Sequence, residues 1–162
     1  VRADLVVTTG GVAVGTYDTL RTVLDRLGVV EFTRVGMTPG MPQGHGHLGP
    51  DAVPIFTLPG NPASAFVSFE VFVRPVIRRM LGHAQVTRPL RSARLTAPVT
   101  GRPGVRTYLR ARLDGRGEGL TATPVTDPGL LGLRLADCLV VLPEGTGLVP
   151  AGTAVSIMPV GA

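Results

Sequence analysis

Two short loops carry most of what could be chemistry in this chain. The first, Thr8-Thr9-Gly10-Gly11-Val12-Ala13-Val14-Gly15, follows an apolar run and precedes a helical pattern. Glycines at a strand-to-helix turn let backbone N–H groups approach a ligand, and the helix start beyond them favours an anion. The second, Leu58-Pro59-Gly60-Asn61-Pro62-Ala63-Ser64, repeats the device, with Asn61 as an N-cap and Pro62 in the first helical turn. Either loop alone is also what a tight turn needs with no ligand. Two of them at strand ends of one sheet converge where open α/β sheets bind ligands, which points to a phosphate-bearing ligand. Asp18, just past the first loop, is placed to hold a metal or orient a phosphate, and equally to complement a helix dipole.

Other reactive residue types are sparse. His45 and His47 form a pair in GHGH with no third ligand near in sequence, so a solvated loop is expected there and no role is assigned. The single cysteine, Cys138, lies in ADCLVVLP and reads as a buried, inert thiol in a reducing compartment. All 16 basic residues are arginine, which excludes a Schiff-base lysine and a phosphate-loop lysine. The net charge of +5 is scattered, aromatics make up 4% and tryptophan is absent, so a nucleic-acid stacking surface is not expected. The most apolar long stretch, Pro62 to Leu81, holds Glu70, Arg74, Arg78 and Arg79, so a soluble, cytoplasmic protein is expected rather than a membrane span.

The elements that must position these loops follow from periodicity. Glycine and proline supply 37 of 162 residues, yet 44% of the chain is hydrophobic, so they mark turns in a folded protein. Leu5 to Thr9 reads as a strand, and Tyr17 to Leu27 as a helix with Leu20, Val23, Leu24 and Leu27 on its apolar face. Strands at Val29–Val35 and Val53–Leu58 follow, separated by a loop rich in Gly, Pro and His. A long helix starts at Asn61, with Glu70, Arg74 and Arg78 toward solvent and a kink at Pro75. After Gly82 come short alternating runs, Leu90–Ala97, Arg106–Leu113, Leu120–Val125, Leu139–Leu142 and Val155–Pro159, the pattern of a small sandwich or barrel. The fold class is therefore α/β plus all-β, with a parallel-sheet domain over residues 1–85 and a β domain over 86–162.

Four segments, Thr8 to Asp18, Met37-Thr-Pro-Gly-Met-Pro42, Leu58 to Ser64 with Phe69 to Pro75, and Leu139-Val-Val-Leu-Pro-Glu-Gly145, resemble in the same order the MoeA/gephyrin family of molybdopterin molybdotransferases. The resemblance spans essentially the whole chain and implies the C-terminal half of a parallel-sheet molybdopterin-binding domain followed by a small β-barrel domain. It also implies insertion of molybdate into adenylylated molybdopterin, with release of AMP and help from Mg²⁺. Under it Asp18 is the catalytic and Mg²⁺-binding carboxylate. Thr9, Gly10, Gly11, Val12, Gly15, Pro39, Gly40, Pro59, Gly60, Asn61, Pro62 and Ser64 contact the molybdopterin, and Arg106 and Arg110 contact the anion. The implied assembly is a homodimer with its cleft between the α/β domain of one subunit and the barrel of the other, with molybdopterin adenylyltransferase as a further partner.

The chain departs from the family pattern at charged positions. Ala13 and Thr16 stand for Ser and Asp, Thr38 and Met41 for two lysines, and Leu135 and Cys138 for Arg and Gly. Each lost charge-assisted contact removes roughly 1.5–3 kcal/mol. Little molybdenum insertion is therefore expected from this chain alone, and a divergent, non-catalytic scaffold that binds pterin or dimerises is the alternative. Adenylyl transfer to molybdopterin is a weaker reading, because the family that performs it lacks the barrel. A sheet starting at Val1 would expose an edge, so a preceding segment or a partner is expected.

Overall fold

The computed structural model describes residues 3–12, 19–27 and 30–160. The chain divides into two compact units, Val1–Val35 with Gly40–Val73, and Gly36–Pro39 with Arg74–Ala162.

The first unit holds β1 (Val6–Thr9), α1 (Thr19–Leu27), β2 (Val30–Arg34), β4 (Pro42–Leu48), β5 (Val53–Leu58) and α2 (Pro62–Ser68); β3 (Met37–Thr38) belongs to the second. Its sheet runs β1-β5-β4-β2, and only the β1–β5 pair is parallel. β4 pairs antiparallel with both β5 and β2, so the sheet is mixed where the sequence reads as parallel. The difference comes from β4 itself, which falls in the segment that reads as a loop. Its Gly44 is a packing requirement rather than a turn signal: a Cβ there would come 3.1 Å from the Phe32 ring and 3.2 Å from Thr57 Cβ. One apolar cluster of this unit is Leu24, Val30 and Ile55, with Val6, Leu20, Phe32 and Leu48 packed against it. Val23, expected on the apolar stripe of α1, is 48% exposed.

α2 begins as its residues dictate, with Asn61 as N-cap and Pro62 at the first helical position. It runs into a π-helical turn, Phe69–Val73, before α3 (Arg74–Met80). The wide turn ends two residues before Pro75, which has no N–H to give the Val71 carbonyl and would crowd it in a regular helix. The extra residue in that turn also shifts the helical phase, and Glu70, expected toward solvent, is 7% exposed.

The second unit contains β6 (Arg91–Leu95), β7 (Val99–Thr100), β8 (Arg106–Asp114), β9 (Thr121–Pro124), α4 (Leu130–Arg134), β10 (Cys138–Leu142), β11 (Leu148–Val149) and β12 (Ala154–Pro159). The order β10-β12-β6-β9-β8, with β8 pairing back to β10, closes a five-stranded barrel, and β3 adds to β8 in parallel. Alternate residues fill it: Ala93 and Leu95, Leu109, Ala111 and Leu113, Ala122, Cys138, Val140 and Leu142, and Val155 and Ile157. Closure leaves these five strands no free edge, which answers the aggregation hazard of open sheets.

Cys138 is fully buried in this core, its thiol 3.6 Å from the Ala111 carbonyl. Burial first, and the Asp137 carboxylate second, push the thiol pKa up to about 12. The thiol is therefore neutral and unreactive at physiological pH, as its setting in the sequence implied.

Candidate functional site

Strand register decides which loops meet. Thr9 pairs with Leu58 across the parallel strands, so Gly10-Gly11 and Pro59-Gly60 leave the sheet at the same end. β4 runs the opposite way, with Gly44 opposite Thr57, so its first residue Pro42 and the preceding Gly40-Met41 lie at that end too. Arg34, opposite Pro42, completes the row. Thus three segments named from sequence, together with one arginine that was not, share one end of the sheet.

The two glycine loops touch. Gly10 N–H donates to the Leu58 carbonyl at 2.8 Å, and a Cβ on Gly60 would come 3.5 Å from Gly10 Cα. Gly11 has φ +85°, and a Cβ on it would lie 2.8 Å from Leu20 Cδ2. Both the backbone conformation and the close helix therefore demand glycine there. Asn61 caps α2: its Oδ1 accepts from Ser64 N–H at 3.2 Å and its carbonyl from Ala65 N–H at 2.8 Å. Two donors that sequence assigns to a phosphate, the Gly10 and Ser64 N–H groups, are thus already used in building the loops. Val12 is buried, and its carbonyl accepts from Arg21 Nη1 at 3.4 Å. That guanidinium also sits 4.6 Å from the Phe32 ring centroid.

The third loop is fixed on two sides. Gly40, buried at φ +99°, receives the Gln43 Nε2 donor on its carbonyl at 2.5 Å. Met41 accepts from Val35 N–H at 2.7 Å through its carbonyl, and from Arg34 Nη2 at 2.9 Å through Sδ. Arg34 was missed because nothing in its local sequence marks it; only its register opposite Pro42 does. Thr8 and Thr57 lie side by side in register below these loops, and neither buried hydroxyl has a hydrogen-bond partner. An unpaired buried hydroxyl costs about 1–3 kcal/mol, an expense that cores seldom carry.

Asp18 and Gly15 lie outside the described residues. Among the described residues no group of three His, Cys, Asp or Glu is placed to hold a metal. The segments at the sheet end, Thr9–Val12, Gly40–Pro42 and Pro59–Ser64, contain no carboxylate. These three segments therefore offer Mg²⁺ no carboxylate. His45 and His47 are exposed on one face of β4 and belong to no such group.

The remaining candidates are in the second unit. Pro39 follows β3, whose Met37 and Thr38 pair with Arg106 and Thr107 of β8, and Arg106 N–H donates to the Gly36 carbonyl at 2.9 Å. The Arg106 side chain is exposed. Arg110 Nη1 donates to the Gly129 carbonyl at 3.3 Å and so ties β8 to the turn before α4. In that turn Asp127 Oδ1 accepts from Gly129 N–H at 2.7 Å and Gly132 N–H at 3.1 Å. A groove of about 360 Å³ on this unit is lined by Ser92, Arg94, Gly117, Glu118 and their neighbours, and none of the residues singled out from sequence lines it.

Residues 1–79 match the family described as "Probable molybdopterin binding domain", and residues 92–160 match "MoeA C-terminal region (domain IV)". The chain is 43% identical over 164 residues to molybdopterin molybdenumtransferase 1 of Mycobacterium tuberculosis, an alignment covering 96% of this chain and 38% of that protein. It is 31% identical over 159 residues to the molybdopterin molybdenumtransferase of Staphylococcus aureus, covering 96% of this chain and 38% of that one. A solved molybdopterin biosynthesis moea protein from Pyrococcus horikosii superposes with a TM-score of 0.79 at 28% identity, over 97% of this chain and 37% of its own. The chain thus spans less than half the length of these relatives: 38% of both transferases and 37% of the solved protein.

Proposed function

Because the chain belongs to the MoeA family, with a molybdopterin-binding α/β domain and the family's domain IV, we propose that it serves molybdenum cofactor biosynthesis by inserting molybdate into adenylylated molybdopterin, with release of AMP. The observation that carries this reading is the gathering of Gly10-Gly11, Gly40-Met41 and Pro59-Gly60 at one sheet end beside Arg34. Such an end takes a phosphorylated ligand through close backbone approach and through the dipole of the helix that Asn61 caps.

In this reading the glycine loops bind and orient the pterin phosphate. Gly10 and Gly60 lie against each other, and Gly11 keeps the loop clear of Leu20. Arg34 offsets the anionic charge at this end, and Arg106 and Arg110 are proposed anion contacts on the barrel domain, with the division between the two domains set at 85/86. Mg²⁺ assistance, carried by Asp18, is part of the proposal. A homodimer, docking of molybdopterin adenylyltransferase and a cytoplasmic setting complete it. Among the described residues no helix is long and apolar enough to cross a membrane.

The test is molybdate-dependent AMP release from adenylylated molybdopterin, with the molybdenum-loaded pterin identified by mass. Slow release that requires molybdate is expected. Pterin binding with no release, from this chain and from a variant carrying lysines at the third loop, would favour the scaffold reading instead.

A further inference from the structure

Gln43 stands on β4, where its backbone pairs with Thr33 of β2. Its neighbour Gly44 faces Phe32 and Thr57, so strand alternation turns the Gln43 side chain to the other side of the sheet. There the carboxamide is 6% exposed, and its nitrogen donates twice, to the Gly40 carbonyl at 2.5 Å and to Ser68 Oγ at 2.6 Å. Ser68 is fully buried in the last turn of α2, the helix whose first turn is the Asn61–Ser64 loop. A single side chain therefore spans the third loop and the helix that begins at the second.

We propose that Gln43 is a positioning residue for the ligand site: its carboxamide fixes the Gly40–Met41 loop to α2, so that the two loops present one preformed surface to the pterin. The ligand half of this inference rests on the function proposed above, and the tether itself does not. A buried amide with both protons given to fixed acceptors has one arrangement, and neither acceptor can be lost without leaving a buried polar group unpaired. Gly40 sits at φ +99°, a conformation open to glycine, and a glycine left unheld has many others, so the Gln43 bond is what defines the loop. Preforming the loop saves the ordering cost that a mobile loop would add on binding.

The experiment compares Gln43→Met, similar in volume without the donors, with Ser68→Ala and Ser68→Thr, which removes and keeps the hydroxyl. Two quantities are read on the 162-residue chain: amide hydrogen exchange of the peptide over residues 37–42 without ligand, and molybdopterin affinity by titration. Gln43→Met, which loses both bonds, should speed loop exchange about tenfold or more, and Ser68→Ala, which loses one and leaves the Gly40 bond in place, by a smaller factor of about twofold to tenfold; both should weaken pterin binding. The double variant should be little worse than Gln43→Met, and Ser68→Thr should behave as the parent. Exchange in the strands β1 and β5 should stay constant, which a general loss of stability would not allow. Unchanged loop exchange in Gln43→Met overturns the tether. Faster exchange with unchanged pterin affinity, while Gly11→Val still weakens binding, overturns the positioning role. A parent chain that binds no pterin overturns the proposed function and the ligand half with it, and the exchange result then decides the tether alone.

Discussion

Gly11→Val will cost the chain most of its affinity for molybdopterin. At φ +85° a β-branched residue is in a conformation L side chains rarely adopt, and its Cβ meets Leu20 at 2.8 Å. Strain of this kind is of order 1–3 kcal/mol, and the loop must shift to relieve it, so affinity should fall by about 10-fold to 100-fold. The added Cβ points at α1, so the loop rather than the ligand must give way. Pairing the change with Leu20→Ala separates the side-chain contact from the backbone strain. That double variant removes the Cγ and Cδ2 contacts and should recover part of the thermal stability, but Leu20 Cβ at 3.1 Å and the positive φ remain, so the loop stays displaced and binding should stay weak. An unchanged dissociation constant for Gly11→Val would remove the loop from the site.

Thr38→Lys with Met41→Lys should raise molybdate affinity or the rate of AMP release by an order of magnitude or more. Molybdate and a pterin phosphate bring several negative charges together, and the segment Met37–Pro42 has no charged side chain of its own. One charge-assisted contact is worth about 1.5–3 kcal/mol, or roughly tenfold to a hundredfold. Position 41 is not vacant of charge, however, because Arg34 Nη2 already lies 2.9 Å from Met41 Sδ. A lysine there would be repelled by that guanidinium, so the single change Thr38→Lys should give the larger share of the gain. No gain in either assay would mean that the oxyanion is held elsewhere.

The parts of the fold that were legible are those whose local signals agree with their tertiary setting. The Asn61-Pro62 helix start, the Val53–Leu58 strand and the alternating barrel strands each carry their own pattern, and each is in place. β4 was not legible, because PQGHGHL contains proline and two glycines, and only strands on either side make it a strand. Its antiparallel course is what brings the third loop to the sheet end, so the geometry of the site was hidden along with it. Glu70 illustrates a second limit. Four-residue spacing puts it in line with Arg74 and Arg78, but a π turn before Pro75 changes the phase and buries it. Barrel closure through β8 and β10 joins Thr107 to Leu142 and Ala111 to Cys138, pairings between distant segments that no local period reveals. The roles of Arg34 and Gln43 were likewise invisible: Arg34 meets Met41 only because β2 and β4 pair, and Gln43 reaches Ser68 only once α2 packs on the sheet.

The central claim is that molybdopterin binds at one end of the mixed sheet, and its footprint in hydrogen exchange tests that most directly. With saturating molybdopterin, protection should rise together in peptides covering residues 8–12, 39–43 and 58–64. The opposite end of the sheet at Leu48–Val53 should exchange as in the free chain, as should the barrel groove beside Arg94 and Glu118. Protection centred on that groove, or binding that leaves the three loops unprotected, would contradict the account.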